Sequence, residues 1–230
     1  GLKAIILYHL VILLQQTNKS SLAFIYCKDA INEFRKHRIY NRLFYLDIYE
    51  ATCLSRMHLY QEAEAAYLSI LEHTISLNDK KLMSTIYTNL SWNSLKAKQY
   101  EDSIAYANKA IELGHESKQV YVFIAYCLFK CNKENESLNY MSELNVDKIG
   151  QYNMELIKII QYRITKEDHF IPQTQSFLKL CHEAGDYETE LLVMSMQLEY
   201  YIDNHDYERI AIIQNKIIAI LTDNNWITLH

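Results

Sequence analysis

Small, aromatic and aliphatic residues recur along this chain at the three- and four-residue spacing of amphipathic helices. The spacing is clearest in residues 84–114, which predict two helices separated by a short polar turn. The residues that share one face of each helix are Tyr87, Leu90, Ser91 and Ser94 on the first, and Tyr100, Ser103, Ala107 and Ala110 on the second. Because several of them are small, the two helices are expected to cross closely.

The same pattern returns at regular intervals. Ser137 stands in the next copy where Ser103 stands in this one, 34 residues later. Ala63 and Ala23 hold the same position in two earlier copies, at intervals of 40 residues. A period of 34 is that of the tetratricopeptide repeat, a helix-turn-helix unit. The longer intervals indicate lengthened loops.

Two more second helices complete the array, one opening at Pro172 and one containing Tyr207 and Ile210. We therefore predict an all-α fold, a right-handed solenoid of about six degenerate tetratricopeptide-like helix pairs, forming a single domain over residues 1–230. Four glycines and one proline are too few for the turns of a β-sandwich or barrel. In such a solenoid the first helix of every pair lines a concave face, where function is expected.

Composition excludes several classes of function. The net charge is -5, with 23 basic and 28 acidic residues and no run of Lys or Arg, so we expect no nucleic-acid binding by this segment. The most apolar stretch, Leu2 to Leu14, contains Lys3 and His9 and falls short of the roughly 20 residues of a membrane span. Five cysteines at scattered apolar positions fit a reducing cytoplasm.

Catalytic and metal-binding motifs are absent from the sequence. Cys127 and Cys131 are four residues apart on a predicted helix, but no second pair completes a metal site. We expect these thiols to pack as small apolar groups. There is no HExxH motif, glycine-rich phosphate loop or nucleophile elbow. The sequence therefore predicts no catalytic residue, no metal and no cofactor, and a protein that is not an enzyme.

The inward stripe of the first helices carries the candidate ligand contacts. These are Tyr49 and Arg56 in the second pair, Asn89, Trp92 and Lys96 in the third, Phe123, Tyr126 and Lys130 in the fourth, and Lys158 and Tyr162 in the fifth. Asn89 is singled out because an amide both donates and accepts, and so matches the backbone of an extended peptide. It lies one turn before Trp92. We expect the ligand to be a short peptide with acidic or apolar groups.

Both ends of the array are apolar where a terminal repeat needs a polar outer face. Leu2 to Leu14 is apolar nearly all round, and we expect a covering element that lies outside the chain. In the last helix, the apolar residues are too many to face one neighbouring helix: Ile210, Ile213, Ile217, Ile220 and Leu221. We expect this helix to be capped by Trp226 and Ile227 or covered by another subunit, and predict a homodimer through it.

With these degenerate repeats, best matched over residues 44–144, and an aromatic inner face bearing Asn89, the chain resembles the C-terminal domains of Gram-positive peptide pheromone receptors, the Rap, Rgg, NprR, PlcR and PrgX group. The resemblance implies a cytoplasmic transcription regulator of quorum sensing, with a DNA-binding domain before residue 1. It also implies that a short signalling peptide lies in the concave face, with Asn89 on its backbone, and changes the geometry of a dimer.

Two other functions remain open. An adaptor that docks a segment of a protein partner would use the same concave face. A Rap-like phosphatase or anti-activator would need a catalytic amide on a separate N-terminal helical bundle, and the sequence contains no such bundle.

Overall fold

The computed structural model describes residues 1–38, 42–114 and 117–224, and within these residues it contains thirteen helices and no strand. The helices are α1 (Leu2–Gln16), α2 (Ser20–Lys36), α3 (Leu43–Arg56), α4 (Tyr60–Leu77), α5 (Lys80–Lys96), α6 (Tyr100–Glu112), α7 (Gln119–Lys130), α8 (Glu134–Ser142), α9 (Val146–Ile149), α10 (Gln151–Thr165), α11 (Phe170–Ala184), α12 (Tyr187–Asp203) and α13 (Tyr207–Asp223). Apart from α9, a single turn, they form six consecutive pairs, which confirms the all-α helical-repeat prediction.

The chain divides into two compact units, residues 1–123 and residues 124–223, with the boundary inside α7. In the first unit, α1, α2 and α3 enclose an apolar core around Phe34 and Leu46. A second core forms around Ile86 and Leu90, where α3 and α4 meet α5. In the second unit, Met194 is among the core residues that join α12 to α13. Each core is therefore built by neighbouring helices, as in a repeat array.

A close crossing of paired helices confirms the role of the small residues. The Ser103 hydroxyl on α6 donates a hydrogen bond to the Ser91 carbonyl on α5, at 2.8 Å. The Ser137 hydroxyl on α8 donates to the Ala125 carbonyl on α7, at 2.7 Å. The corresponding Ala63 is fully buried. Only short side chains let two helix backbones approach to this distance.

All six turns within the pairs contain one residue in the left-handed conformation. These residues are Asn18, His58, Lys98, Asn132, Lys166 and His205. The amide after each of them donates to a carbonyl in the last turn of the preceding helix, as in the 2.8 Å bond from Gln99 N to Ser94 O. This is the Schellman arrangement, which ends a helix and reverses the chain. The repeat is therefore marked by a common turn, although none of the six residues is glycine.

The structure places four of the five apolar residues singled out in the last helix in one core. Ile213 and Ile220 are buried, Ile210 and Ile217 pack against the same core, which includes residues of α11 and α12, and Leu221 is not among its residues. Spaced three and four apart, the four isoleucines lie on one side of α13, and this core accounts for their burial without a second subunit. Trp226 and Ile227, the expected cap, lie outside the described residues.

The first helix has the two apolar faces expected from its sequence. Ala4, Leu7 and Val11 are buried against α2 and α3, whereas large apolar side chains on the other side are exposed. The exposed ones are Leu2, Ile5, Ile6 and Leu13. Within the described part of the chain, no helix has the length and apolar character needed to cross a membrane.

Candidate functional site

In residues 1–123, the first helices α1 and α3 are joined by polar contacts at their C-terminal ends. The Arg56 guanidinium on α3 donates to the carbonyl of Gln15, at 3.2 Å, and to its side-chain amide oxygen, at 2.8 Å. The Gln15 amide donates in turn to the carbonyl of Tyr49, at 3.2 Å. Arg56 therefore holds the end of α1, where exposed carbonyls favour a cation. The Tyr49 ring is half-buried against the core of α1 and α2.

The third pair carries an aromatic and cationic cluster. Trp92 on α5 stacks on Phe123 at the start of α7, with ring centroids 4.9 Å apart and planes 20° apart. The Lys96 ammonium lies 5.6 Å from the centre of the Trp92 ring, within cation–π distance. Phe123 is buried, while Trp92 and Lys96 are half-exposed. Phe123 thus supports Trp92 from beneath.

Asn89 lies one turn before Trp92 on the same side of α5. It is half-exposed, and its side-chain amide has no hydrogen-bond partner among the described residues. Asn93, four residues later, differs, because it is buried and donates to the carbonyl of Tyr60 at 3.0 Å. The donor and acceptor of Asn89 are therefore open to a ligand. We call Asn89, Trp92, Lys96 and Phe123 the α5 cluster.

In residues 124–223, the predicted cations are paired with acids. The Lys130 ammonium on α7 lies 2.6 Å from a Glu199 carboxylate oxygen on α12. Lys158 on α10 lies 3.1 Å from Glu155 on the same helix. Arg163 on α10 forms an ion pair with Asp203. Ion pairs therefore join α12 to both of the other first helices of this unit, α7 and α10.

The two remaining predicted residues are aromatic. Tyr126 on α7 is buried, so its ring serves the packing of the helix. Tyr162 on α10 is half-exposed, and its ring centre lies 6.0 Å from that of His169. Of the predicted set in this unit, Lys130, Lys158 and Tyr162 are the ones that reach the surface.

Four residues of these networks did not stand out in the sequence: Gln15, Arg163, Glu199 and Asp203. Each contacts a partner 34 to 69 residues away in the chain. Charged and amide residues at helix surfaces are common, and helical spacing alone does not show which helix they face. The only available signal was the position of Gln15 directly after an apolar run.

The thiols have the properties of packed side chains. None of the five cysteines, all of which lie in the described residues, forms a disulfide, and all but Cys131 are buried. Burial raises the pKa of Cys53 to about 12 and that of Cys181 to about 11, so both stay protonated near neutral pH. Such thiols are poor nucleophiles and poor metal ligands. Across the described residues there is no group of three or more His, Cys, Asp or Glu side chains placed to bind a metal ion.

No protein-family model matches this sequence, and no curated protein matches it. Solved structures match it in fold. A Rap protein complexed with competence and sporulation factor has a TM-score of 0.82 at 14% identity, over 97% of this chain and 64% of that one. Aspartyl phosphate phosphatase F from Bacillus subtilis has a TM-score of 0.81 at 18% identity, over 99% of this chain and 62% of that one.

A third similar structure is a Rap conjugation gene regulator of a plasmid, in complex with a Phr peptide. Its TM-score is 0.75 at 15% identity, over 99% of this chain and 65% of that one. The chain thus spans just under two thirds of the length of each of these three proteins. Together these likenesses show a tetratricopeptide-like helical-repeat fold that resembles the Rap proteins.

Proposed function

We propose that this chain is the peptide-sensing domain of a regulatory protein, and that a short linear peptide binds the surface of its first helices. The observation that carries the proposal is the α5 cluster. It presents an unpaired amide, a half-exposed indole and a cation in succession on one side of a helix. Together these groups match a peptide's backbone, an apolar side chain and an acidic group.

Each group of the α5 cluster has a separate role in the proposed complex. Asn89 donates to a peptide carbonyl and accepts from a peptide N–H, whatever the peptide's side chains. Trp92 provides an apolar surface, held in place by its stack on Phe123. Lys96 attracts an acidic side chain or a terminal carboxylate. The site therefore favours peptides that combine an apolar residue with a negative charge.

In residues 124–223, we propose Lys130, Lys158 and Tyr162 as further peptide contacts. The cations among them are already paired with Glu199 and Glu155. A peptide acid that replaced either partner would leave a carboxylate unpaired, which offsets part of its gain in binding. We therefore expect substitutions here to have smaller effects on binding than substitution of Asn89, whose side-chain amide has no hydrogen-bond partner among the described residues.

The similar structures support a regulatory role. One of them is a conjugation gene regulator in complex with a Phr peptide. By likeness of fold, we propose that the full protein is a cytoplasmic regulator, with transcription its target and a DNA-binding domain elsewhere in the protein. Five cysteines that form no disulfide suit that compartment. The adaptor alternative uses the same surface, with a segment of a protein partner in place of the signalling peptide.

A Rap-like phosphatase or anti-activator is a second candidate. The observation in its favour is the fold shared with an aspartyl phosphate phosphatase. The described residues contain no group of three or more His, Cys, Asp or Glu side chains placed to bind a metal ion. In this version, the domain would sense the peptide while another part of the protein acts on the phosphorylated partner.

The test is a comparison of two variants in peptide binding. Pools of short linear peptides are screened by thermal shift, and a confirmed binder is then titrated against wild type, Asn89→Ala and Lys109→Ala. Loss of a backbone contact is expected to weaken binding about five- to hundredfold in Asn89→Ala. Lys109 is an exposed residue of α6 whose ion pair with Glu112 is local, so Lys109→Ala should bind like wild type.

Equal affinities for Asn89→Ala and wild type would move the site away from the α5 cluster. If no short signalling peptide binds but the tail or loop of a larger protein partner does, the adaptor function replaces the peptide sensor.

A further inference from the structure

A groove of about 900 Å³ lies between α11, α12 and α13, inside the unit of residues 124–223. Its apolar lining includes Leu178 on α11, Met194 on α12, and Ile213 and Ile220 on α13. This volume is in the upper part of the range of small-molecule sites. The groove is therefore large enough to take a ligand, and its walls would cover the apolar part of one.

The groove lies on the side of α12 turned away from the pair of Lys130 and Glu199. Glu190, Met194 and Gln197 line it, at the three- and four-residue spacing of one helix face. Glu199, which pairs with Lys130, is nine residues after Glu190, or about two and a half turns, and so lies on the opposite side of α12. A ligand in the groove would leave the Lys130–Glu199 pair untouched.

A buried carboxylate is part of the groove lining. Glu190 is only 4% exposed, and its ionic contact among the described residues is His182 Nδ1 at 3.4 Å. That distance is longer than a strong charge-assisted hydrogen bond, and the His182 side chain is mostly exposed. Burial raises the pKa of Glu190, and His182 and Lys216 oppose this. A buried carboxylate in such a place is stabilised by a cation that comes closer.

A second polar group stands further along the same helix face. Gln197 is 2% exposed, and its amide nitrogen donates to the Thr174 hydroxyl at 2.6 Å. Its amide oxygen accepts no hydrogen bond from the described residues. Seven residues separate Glu190 from Gln197, which is about 10 Å along a helix, with Met194 between them. The groove therefore has an acid, an apolar middle and an acceptor in line.

Charges at the rim are largely balanced. Lys179 pairs with Glu183 at 3.9 Å, and Arg209 pairs with Asp206 at 3.4 Å while lying over the Tyr201 ring. Lys216 and Asp223, both exposed, also line the groove, and Lys216 opposes the raised pKa of Glu190. The exposed charges of the lining are therefore of both signs, and Glu190 is the buried charged residue among the described residues that line the groove.

We propose that this groove binds a small organic cation: an ammonium or guanidinium placed against Glu190, an apolar body over Met194, and a hydrogen-bond donor near Gln197. None of the groove residues belongs to the proposed peptide surface. The groove favours a positively charged ligand, whereas the peptide surface favours a negatively charged one. A cation meets two needs at once, because it pairs the buried carboxylate and covers the apolar walls.

A residue of α13 offers a second way to test the groove. On α13 the groove wall includes Ala219, whose short side chain fills little of the space. A bulky residue at Ala219 is therefore expected to close the site without disturbing a buried contact, since Ala219 is exposed.

The probe is tyramine, which carries an ammonium, an aromatic ring and a phenolic donor. Its matched control is tyrosol, in which an alcohol replaces the ammonium. Binding to the whole chain is measured by saturation-transfer NMR and titration. We expect tyramine to bind at least about tenfold more tightly than tyrosol, since a charged hydrogen bond is lost. Glu190→Gln should abolish that preference, and Glu183→Gln, a change at the exposed rim, should keep it.

Ala219→Trp provides a test that keeps Glu190 in place, and should remove tyramine binding. The proposal is overturned if tyrosol binds as tightly as tyramine, if Glu183→Gln reduces tyramine binding as much as Glu190→Gln, or if binding is unchanged in Ala219→Trp. Circular dichroism of each variant shows that the fold is kept. Peptide binding, measured in parallel, is expected to be unaffected by Glu190→Gln, so the two proposals fail separately.

Discussion

At the scale of single residues, the paired helices depend on a few small side chains. Ser103 and Ser137 are fully buried, and each gives its hydroxyl hydrogen to a carbonyl of the partner helix. The size of serine permits the close approach, and its hydroxyl satisfies its own hydrogen bond there. These two positions therefore require a side chain that is both small and able to donate a hydrogen bond.

Two substitutions at Ser103 separate these restrictions. Ser103→Ala nearly keeps the volume and loses two hydrogen bonds of the Ser103 hydroxyl, one to the Ser91 carbonyl and one with the Ser91 hydroxyl, which should lower the free energy of unfolding by about 1–2 kcal/mol. Ser103→Leu forces the helices apart and should lower it by a further ~1–3 kcal/mol, the usual cost of overpacking. Urea unfolding followed by circular dichroism measures both, with Lys109→Ala as the surface control. Equal losses for alanine and leucine would show that the crossing is not tight.

At the scale of secondary-structure elements, the common turn is the strained part of the repeat. Six non-glycine residues hold left-handed backbone angles, and Lys98 has a φ of 62°. A residue with a Cβ is disfavoured in that conformation by about 1–2 kcal/mol. The Schellman hydrogen bonds and the helix packing on each side hold it in place. Relief of this strain should therefore increase stability.

Lys98→Gly is expected to raise the free energy of unfolding by about 0.5–1 kcal/mol, because glycine adopts this conformation without a steric cost. Part of the gain is offset by the greater freedom of glycine in the unfolded chain. The matched control is Lys109→Gly inside α6, which should lower stability by about 1 kcal/mol. Thermal and urea melts give both values. A loss of stability in Lys98→Gly would mean that the lysine side chain itself supports the turn.

At the scale of the whole molecule, exposed apolar side chains on two helices bear on self-association. On α13, Ile212 and Ile218 remain 47% and 43% exposed, while the isoleucines on its other side are in the core. On α1, Leu2, Ile5, Ile6 and Leu13 are exposed along one side. We propose a homodimer through α13, and the exposed pair on this helix is then what a partner would cover.

Sedimentation velocity of two double variants shows whether α13 or α1 forms the dimer interface. If α13 forms the interface, Ile212→Glu with Ile218→Glu should shift a dimer to a monomer, because charge on a covered apolar face is costly. Ile6→Glu with Leu13→Glu on α1 is the matched pair and should leave the mass unchanged. The reverse result would place self-association on α1, and a monomeric wild type at high concentration would end the dimer proposal.

The sequence by itself determined the helices, their pairing and the positions at which they cross. Helical spacing reports which side of a helix is buried, so the 34-residue interval was enough to match Ser103 with Ser137. The three members of the α5 cluster on α5 itself were also predictable, because Asn89, Trp92 and Lys96 lie on one helix and local spacing is enough for them. The stack of Trp92 on Phe123 of α7 was decided by the tertiary structure.

Only the tertiary structure decided how side chains of different helices meet. It placed Ile213 and its neighbours in one core, paired Lys130 with Glu199, and buried Tyr126. It also left a groove beside Glu190, between α11, α12 and α13. These features depend on the rotation and separation of helices that are distant in sequence, and degenerate repeats vary in both. The spacing of residues along one helix does not predict these features. Whether a side chain is paired, buried or exposed there depends on residues of another helix.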